Sequence, residues 1–575
     1  MADSEFDVIV AGSGAGGMTA ALCCAHLGLS TLLIEKADVY GGTSAVSGGG
    51  IWIPCNDQMG KAGFGDSDAE ALTYLKHLIG NDVPQAKLET YVRKAREMVQ
   101  VLNRDLGVKF DVVPKYPDYY PDKPGGKEGA RSMQPRSIDA RELGDEFDRQ
   151  REPFKGTLVL GRVAMDQIEA HTLFGRAPGW IWLMLKLMWN YWTDFSWRRK
   201  TWRDRRLTLG QALVASLRLA LLRKNVPIML GTKLESLITE QGRVVGVVAT
   251  QDRGHGPLPQ TIKLGARKGV VLATGGFESS QALREQYLPA PTQAQWTAAP
   301  HGNEGEGLKA GLAVGAATGF MSLTWGAPTI PVPGATSATA VFVERSLPGC
   351  VVVNGKGRRF GNEAAPYTEF VHAVQADHAK TGAAVPCWMV FDSRFRKNYP
   401  CGPLMPSAFV PESRLPADWL NSVYWKADTL AALAAQIGVD AQGLAQTVEK
   451  MNEYASTGVD VEFGKGNNAF DRYYADPKIK PNPCLAPITE APFYAVRLYP
   501  GEIGTKGGLL TDEVARVLRA DGSVISGLYA VGNCSAAVMG RTYAGAGATL
   551  GPAMTFGYLA ALDLSSAKQA ARVAA

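Results

Sequence analysis

Apolar residues at the start of the chain fall into two short blocks around a stretch of small residues. Phe6-Asp7-Val8-Ile9-Val10 predicts a buried strand, Gly12-Ser13-Gly14-Ala15-Gly16-Gly17 a tight turn, and Met18-Thr19-Ala20-Ala21-Leu22 a small-residue helix. The second block, Ser30-Thr31-Leu32-Leu33-Ile34, ends on Glu35. Two later apolar strands also finish in polar or glycine residues: Gly269 to Glu278, which includes Ala273-Thr274-Gly275-Gly276, and Gly527 to Asn533. Trp180 to Trp192 is a block of another kind, helical in length, with Lys186 inside it. Phe195, Trp197 and Trp202 follow, interleaved with Arg198, Arg199, Lys200, Arg203, Arg205 and Arg206.

The pattern predicts an α/β chain: a Rossmann-like dinucleotide domain built from both chain ends and interrupted by an α+β domain. The expected spans are 1–294, with a Trp-rich excursion at about 172–210, then 295–495 and 496–575, the chain returning to the first domain near Phe493-Tyr494-Ala495-Val496. Asn303-Glu304-Gly305-Glu306-Gly307 marks a helix start in the inserted domain.

Strand, G-x-G-x-x-G, helix, strand and acid together make a dinucleotide fingerprint with its context intact. Gly12 permits the turn, Gly14 lets a pyrophosphate approach the helix N-terminus, and Gly17 allows close helix–strand packing. Glu35 is placed to accept hydrogen bonds from ribose hydroxyls. The further small-residue runs Gly41-Gly42-Thr43-Ser44 and Ser47-Gly48-Gly49-Gly50 suit backbone lying along a long cofactor and favour FAD over NAD. Cofactor contacts are expected from Gly12, Ser13, Gly14, Ala15, Gly16 and Gly17, from Glu35 and Lys36, and from Gly42, Thr43, Ser44, Ser47 and Gly48. They are also expected from Ala273, Thr274, Gly275 and Gly276, and from Asn533, Gly547 and Leu550. No second fingerprint for NADPH is evident, so electrons are expected to leave to a separate acceptor, a quinone or similar.

Composition narrows the picture only a little. The 575 residues suffice for two domains, and 46% hydrophobic with 20% charged residues describes an ordinary globular chain. A net charge of +5 is too small to imply nucleic acid. The 8 cysteines form no C-x-x-C pair and suit a reducing cytoplasm, with Cys23 and Cys24 packed in the first helix. No signal-peptide pattern precedes the first strand, and the 7 histidines show no metal-ligand spacing. Basic runs such as Arg394-Phe395-Arg396-Lys397 read as solvated faces.

The Trp-rich block is shorter than the roughly 20 residues a bilayer span requires. Aromatic and apolar residues beside Arg and Lys match a helix lying in a membrane interface. The alternative is a helical excursion packed on the body or on a second subunit, its arginines solvated. Towards the end of the chain, Gly540 to Gly557 joins Tyr543 to glycines ahead of a helical pattern. A phenol O–H and a glycine N–H aimed at one point are what a developing oxyanion needs; the alternative is a turn and helix start that only carries the cofactor.

The chain resembles the 3-ketosteroid Δ1-dehydrogenases, within the wider fumarate reductase and succinate dehydrogenase flavoprotein group. The resemblance covers nearly the whole chain. It rests on Gly42-Thr43-Ser44 with Ile51-Trp52-Ile53-Pro54, Pro117-Asp118-Tyr119-Tyr120, Asn362-Glu363-Ala364-Ala365-Pro366-Tyr367, Gly504-Thr505-Lys506-Gly507-Gly508 and the run from Tyr543 to Gly557. The Trp-rich stretch is its main departure.

No attachment histidine is evident, so FAD is expected to bind noncovalently; the resemblance implies removal of two hydrogens from the steroid A ring. The Tyr543 O–H and the Gly547 N–H would polarise the C3 carbonyl. Tyr367 would take the C2 proton with Tyr119 as its helper phenol, and the C1 hydride would pass to flavin N5. Tyr120 is expected to be a packing residue, and each of the other tyrosines has the alternative of a satisfied core phenol. The competing readings are a 3-ketosteroid Δ4-(5α)-dehydrogenase, a fumarate-reductase-like enzyme and a flavin-containing membrane adaptor without activity. Fumarate reductases commonly carry a histidine before the Gly-Gly turn, where this chain has Lys506. A peripheral attachment to the inner face of the cell membrane through Trp180–Trp202, and a substrate with a long side chain, complete the expectation.

Overall fold

The structure is a computed structural model that describes residues 4–252 and 259–573; the extremities of the expected spans, 1–3 and 574–575, lie outside it. Its first strand, Ser4–Ala11, is flanked by parallel neighbours on both sides, Thr31–Ile34 and Gln260–Leu272. Being central, it is buried on both faces, which is why Val8, Ile9, Val10 and Ala11 form an unbroken apolar run. Val524–Ala530 extends the sheet in parallel beyond Gln260–Leu272, and Ile228–Met229 extends it beyond Thr31–Ile34. Arg516–Leu518 and the antiparallel pair Thr232–Glu240 and Arg243–Gln251 complete an eight-stranded sheet among the described residues.

Two helices from opposite parts of the chain cover one face. Ala15–His26 starts directly after the glycine turn and packs against Leu550–Val573. The two approach closely because glycines stand at the crossing: a Cβ on Gly16 would lie 3.0 Å from the Ala553 carbonyl oxygen, and one on Gly557 would lie 2.6 Å from the Gly16 oxygen. Cys23 and Cys24 are buried in the first helix, and all 8 cysteines are free.

A second sheet, six-stranded among the described residues and antiparallel, is centred on Phe493–Thr505, which pairs with Thr324–Ile330, Cys387–Phe391 and Tyr424–Ala427. The strand at Phe493 therefore does not return the chain to the nucleotide sheet; that return comes at Arg516–Leu518 and Val524–Ala530. Apolar alternation marks the faces of a strand and is silent about which sheet it joins. Similarly, the helix Glu306–Ala313 packs towards the first sheet, with Leu308 and Ala310 in the same cluster as Ile9, Leu32 and Val270.

Two readings of basic residues are corrected. Phe395 and Arg396 are buried, and Arg396 donates to the Met405 carbonyl at 2.5 Å, so this run is no solvated face. In the Trp-rich region Arg203 is buried and donates to the Phe147 carbonyl and to Gln211, while Arg205 pairs with Asp194 and Arg206 with Glu169. Arg199 and Lys200 stay exposed.

The Trp-rich block is the helix Trp180–Thr193. Leu187 and Tyr191 are buried in a small cluster with Val159, Val163 and Met165. Its other face is left bare: Trp182 is 78% exposed, Trp189 71%, and Phe195 just beyond it 70%. No helix among the described residues is long and apolar enough to cross a membrane.

Candidate active site

One large cavity, of about 740 Å³, runs from the glycine turn between the two sheets to the Trp-rich helix. At one end lie the glycine turn, Glu35, Lys36 and the loop from Gly42 to Gly50. Gly12 has φ +106°, and a Cβ there would sit 2.2 Å from the Ala273 oxygen, so this position requires glycine. A Cβ on Gly17 would meet the Gly12 oxygen at 2.1 Å, as helix–strand packing demands. Gly14 differs, for an added Cβ would touch only the Ser44 hydroxyl, at 3.5 Å; its missing side chain leaves room for a ligand.

Glu35 is held at the end of its strand by the Ser13 amide and hydroxyl, at 3.0 and 2.6 Å, and by the Ala37 amide at 3.0 Å. The Ser44 hydroxyl accepts the Ala15 amide at 3.0 Å, and Lys36 pairs with Glu306. Thr43 accepts from Asn303 at 3.1 Å.

The cavity is lined by every residue expected to hold the cofactor except Gly276. A Cβ at Gly276 would meet the Thr505 hydroxyl at 2.1 Å, so this glycine serves packing between the sheets. Arg151 lines the cavity with no local motif to mark it, and Asn303, read from the sequence only as part of a helix start, lines it too. The Nε of Arg151 is buried without a hydrogen-bond partner, and its charge faces Glu35. Glu278 behind the wall is similar: one carboxylate oxygen accepts from Asn303 at 2.6 Å while the other has no partner, and burial pushes its carboxyl up to about 7. A cradle of close-approach glycines, with a fixed acid and an orphaned guanidinium nitrogen, fits a dinucleotide such as FAD.

Further along the cavity, Tyr119, Tyr367 and Tyr543 come together from three distant parts of the chain. Ring centroids are 5.6 Å apart for Tyr119 and Tyr367, 5.0 Å for Tyr119 and Tyr543, and 5.5 Å for Tyr367 and Tyr543. The Tyr119 hydroxyl donates to the Tyr367 oxygen at 3.0 Å. Tyr367 opens the helix Tyr367–Thr381, where the free N–H groups of the first turn favour negative charge. Tyr543 accepts from Thr549 at 3.0 Å, and the Gly547 amide also acts on its oxygen.

Burial raises all three phenols above their ordinary value. For Tyr367 the neighbouring Tyr543 adds to that rise and the bond donated by Tyr119 works against it, while for Tyr543 the bonds from Thr549, Tyr367 and the Gly547 amide oppose the rise. Tyr120, by contrast, points to Glu369 at 3.4 Å, outside the cluster.

The loop carrying Tyr543 is clamped. Tyr74 donates to the Ala544 carbonyl at 2.6 Å, the Tyr119 amide to the same oxygen at 3.0 Å, and Ser132 to the Ala546 carbonyl at 2.9 Å. Gly547, at φ +93°, lies where a Cβ would be 2.5 Å from the Ile51 backbone. Arg541 turns away and pairs with Asp82 on the surface, leaving no arginine of this loop in the cavity. Apolar side chains dominate beyond the phenols, with Phe342 and Phe470 beside them and then Leu173, Phe174, Trp180, Met184, Met188 and Phe409, while Glu344, Arg176 and Asn398 add polar groups to the wall. The inner face of the Trp-rich helix is thus cavity wall. No cluster of His, Cys, Asp or Glu fit to hold a metal occurs among the described residues.

Fold and cavity together define an FAD-dependent oxidoreductase. The family model of the FAD binding domain matches residues 7–550. The chain is 42% identical to the 3-oxosteroid 1-dehydrogenase of Mycolicibacterium smegmatis, over 100% of this chain and 99% of that one. Against the 3-oxosteroid 1-dehydrogenase of Comamonas testosteroni the identity is 41%, over 98% and 97%. The crystal structure of 3-ketosteroid Δ1-dehydrogenase from Sterolibacterium denitrificans, in complex with 1,4-androstadiene-3,17-dione, superposes with a TM-score of 0.95 at 51% identity, covering 98% of this chain and 100% of that one. The chain belongs to the 3-oxosteroid 1-dehydrogenase family.

Proposed function

We propose that this protein introduces a C1–C2 double bond into 3-ketosteroids. The observation that carries the reading is the meeting of Tyr119, Tyr367, Tyr543 and the Gly547 amide in an apolar cavity continuous with the dinucleotide cradle. FAD held by the glycine turn from Gly12 to Gly17 and by Glu35 would supply the two-electron oxidation, as acceptor of the C1 hydride.

The protein's own part is to make the C2 proton removable. The Tyr543 hydroxyl and the Gly547 amide donate to the C3 carbonyl oxygen, where negative charge develops. Tyr367 takes the C2 proton as a phenolate, stabilised by the bond from Tyr119 and by its place at a helix N-terminus. Phe342, Phe470 and the apolar wall exclude water, which strengthens each of these polar contacts.

The Trp-rich helix supports two finer elements of the proposal. Its inner face, Trp180, Met184 and Met188, extends the cavity and suits a steroid with a long side chain. Its outer face, with Trp182, Leu185 and Trp189 bare, suits peripheral contact with the cytoplasmic face of a membrane holding such a steroid. Electrons then leave to an external acceptor such as a quinone.

The test is anaerobic mixing of the flavin-loaded protein with a 3-keto-4-ene steroid. Bleaching of the flavin with a C1–C2 double bond in the product, identified by NMR, is expected. A C4–C5 double bond formed from a saturated A ring, or no bleaching by either steroid, would overturn the proposal.

A further inference from the structure

Lys506 is fully buried, yet the chemistry above gives it no task. It follows directly on Phe493–Thr505, the central strand of the second sheet, and its own backbone is tied on both sides: its amide donates to the Leu323 carbonyl at 2.9 Å and its carbonyl accepts the Ala537 amide at 3.1 Å. From this fixed base the side chain reaches into the turn preceding Tyr543. The ammonium donates to the Gly540 carbonyl at 3.1 Å and to the Thr542 carbonyl. It also lies over the Trp325 indole, 4.4 Å from the ring centroid.

No charged partner among the described residues offsets its burial, which pulls the ammonium towards its neutral form. Removing an ammonium from water without a carboxylate is costly. What the group obtains instead is two carbonyls and an aromatic face.

Trp325 joins the arrangement to the site. Its indole N–H donates to Asn533 at 3.0 Å, and its ring meets Tyr543 edge-on with centroids 4.8 Å apart. The strand bearing Trp325 also seats Tyr367: Thr368, next to it, donates to the Gly326 carbonyl at 3.2 Å, and Gly326 is bare where Val371 packs, since a Cβ there would be 2.9 Å from that side chain. One sheet therefore sets the place of both phenols.

We propose that Lys506 is the positioning residue for Tyr543, pinning the turn at Gly540 and Thr542 to the second sheet so that the Tyr543 hydroxyl is held where the carbonyl oxygen of the substrate lies. The proposal rests on the reading of Tyr543 as the donor to that oxygen. Tyr543 stands one residue beyond Thr542, so release of that carbonyl frees the turn from which the phenol projects. A displacement of about 1 Å at such a donor is worth about a hundredfold in rate.

A double-mutant cycle separates positioning from general stability. The rate of flavin bleaching by a 3-keto-4-ene steroid is measured for the wild-type protein, Lys506→Met, Tyr543→Phe and the double variant, each with flavin content verified. Lys506→Met is expected to slow bleaching by about 10- to 100-fold while the steroid dissociation constant moves far less. On the Tyr543→Phe background the same substitution should cost almost nothing further. Equal losses on both backgrounds, or no loss in the single variant, would overturn the role of Lys506. An unimpaired Tyr543→Phe would instead overturn the reading of Tyr543 on which it rests. Should Lys506→Met fail to retain flavin, Lys506→Leu, which likewise removes the donors to both carbonyls, carries the same cycle with the same two outcomes.

Discussion

The Tyr119 hydroxyl gives its hydrogen to the Tyr367 oxygen, and this direction ranks the two phenols. A donated hydrogen bond stabilises the phenolate of the acceptor and disfavours that of the donor, so Tyr367 is the member of the pair able to hold negative charge.

A pH profile follows from that ranking. Burial raises Tyr367 well above the ordinary tyrosine value, so the base form is the minor one at neutral pH and grows about tenfold per pH unit below the pKa. The value of kcat/KM should therefore rise as pH increases from neutrality. Tyr119→Phe removes the bond that opposes the rise, so its ascending limb should lie at higher pH with a lower rate at neutrality. Tyr367→Phe should lose about 10²- to 10⁴-fold at every pH. A limb that stays in place in Tyr119→Phe would refute the donor role.

Tyr543→Phe tests the carbonyl-polarising pair separately. Loss of one donor to a developing oxyanion costs about 10²- to 10³-fold in kcat. The melting temperature should hardly change, because the loop is clamped through the Ala544 and Ala546 carbonyls and not through the phenol. Stopped-flow bleaching and thermal unfolding on the same sample decide the point; a large drop in stability would show the phenol to be structural.

Gly17→Ala should loosen the helix–strand packing that shapes the cradle and so weaken cofactor binding. Its methyl group would fall 2.1 Å from the Gly12 oxygen and 3.0 Å from the Ala273 side chain, forcing the first helix off the strand. Overpacking of this kind costs about 1–3 kcal/mol, which corresponds to roughly a 5- to 150-fold loss of FAD affinity if borne by the bound state. Titration of the apoprotein with FAD by fluorescence measures it, and an unchanged dissociation constant would count against the packing argument.

For the Trp-rich helix the expected readout is partitioning. Replacing Trp182 and Trp189 by Ser removes two exposed indoles, each worth about 1.5–3 kcal/mol when buried in an apolar phase. Binding to anionic lipid vesicles should weaken at least tenfold, while turnover of a short-chain ketosteroid in detergent-free buffer stays as it was. Equal sedimentation of variant and wild type with vesicles would end the membrane reading.

The sequence makes the cofactor end legible because its signals are local: a strand, glycines at fixed spacing, a helix and Glu35 lie within one βαβ unit. Tyr543 is marked by the glycines that follow it, but nothing in three separated segments says that Tyr119, Tyr367 and Tyr543 meet; Tyr119 and Tyr367 are reached only through the family resemblance. Arg151 and Trp325 reach the site or its support from unmarked segments, and Asn303 and Lys506 lie in motifs that give no hint of these contacts, so only packing reveals them. Gly276 shows the converse: it continues a glycine pair that looks like cofactor backbone, but the space its missing side chain leaves is taken by Thr505. The basic run after Trp197 misled in the same manner, because charge in a sequence does not disclose the acids that Asp194 and Glu169 bring to it.

The nucleotide sheet pairs Gln260–Leu272 with Val524–Ala530, and everything between them in the chain leaves ribosomes first. A nascent chain can therefore complete the antiparallel sheet up to Thr505 while the edge at Asn533, the Tyr543 turn and the covering helix from Leu550 are still unmade. The phenol cluster can consequently close only after the Tyr543 turn has been made. A truncated product would carry most of the steroid wall, yet have neither a closed cradle nor a way to polarise a ketone.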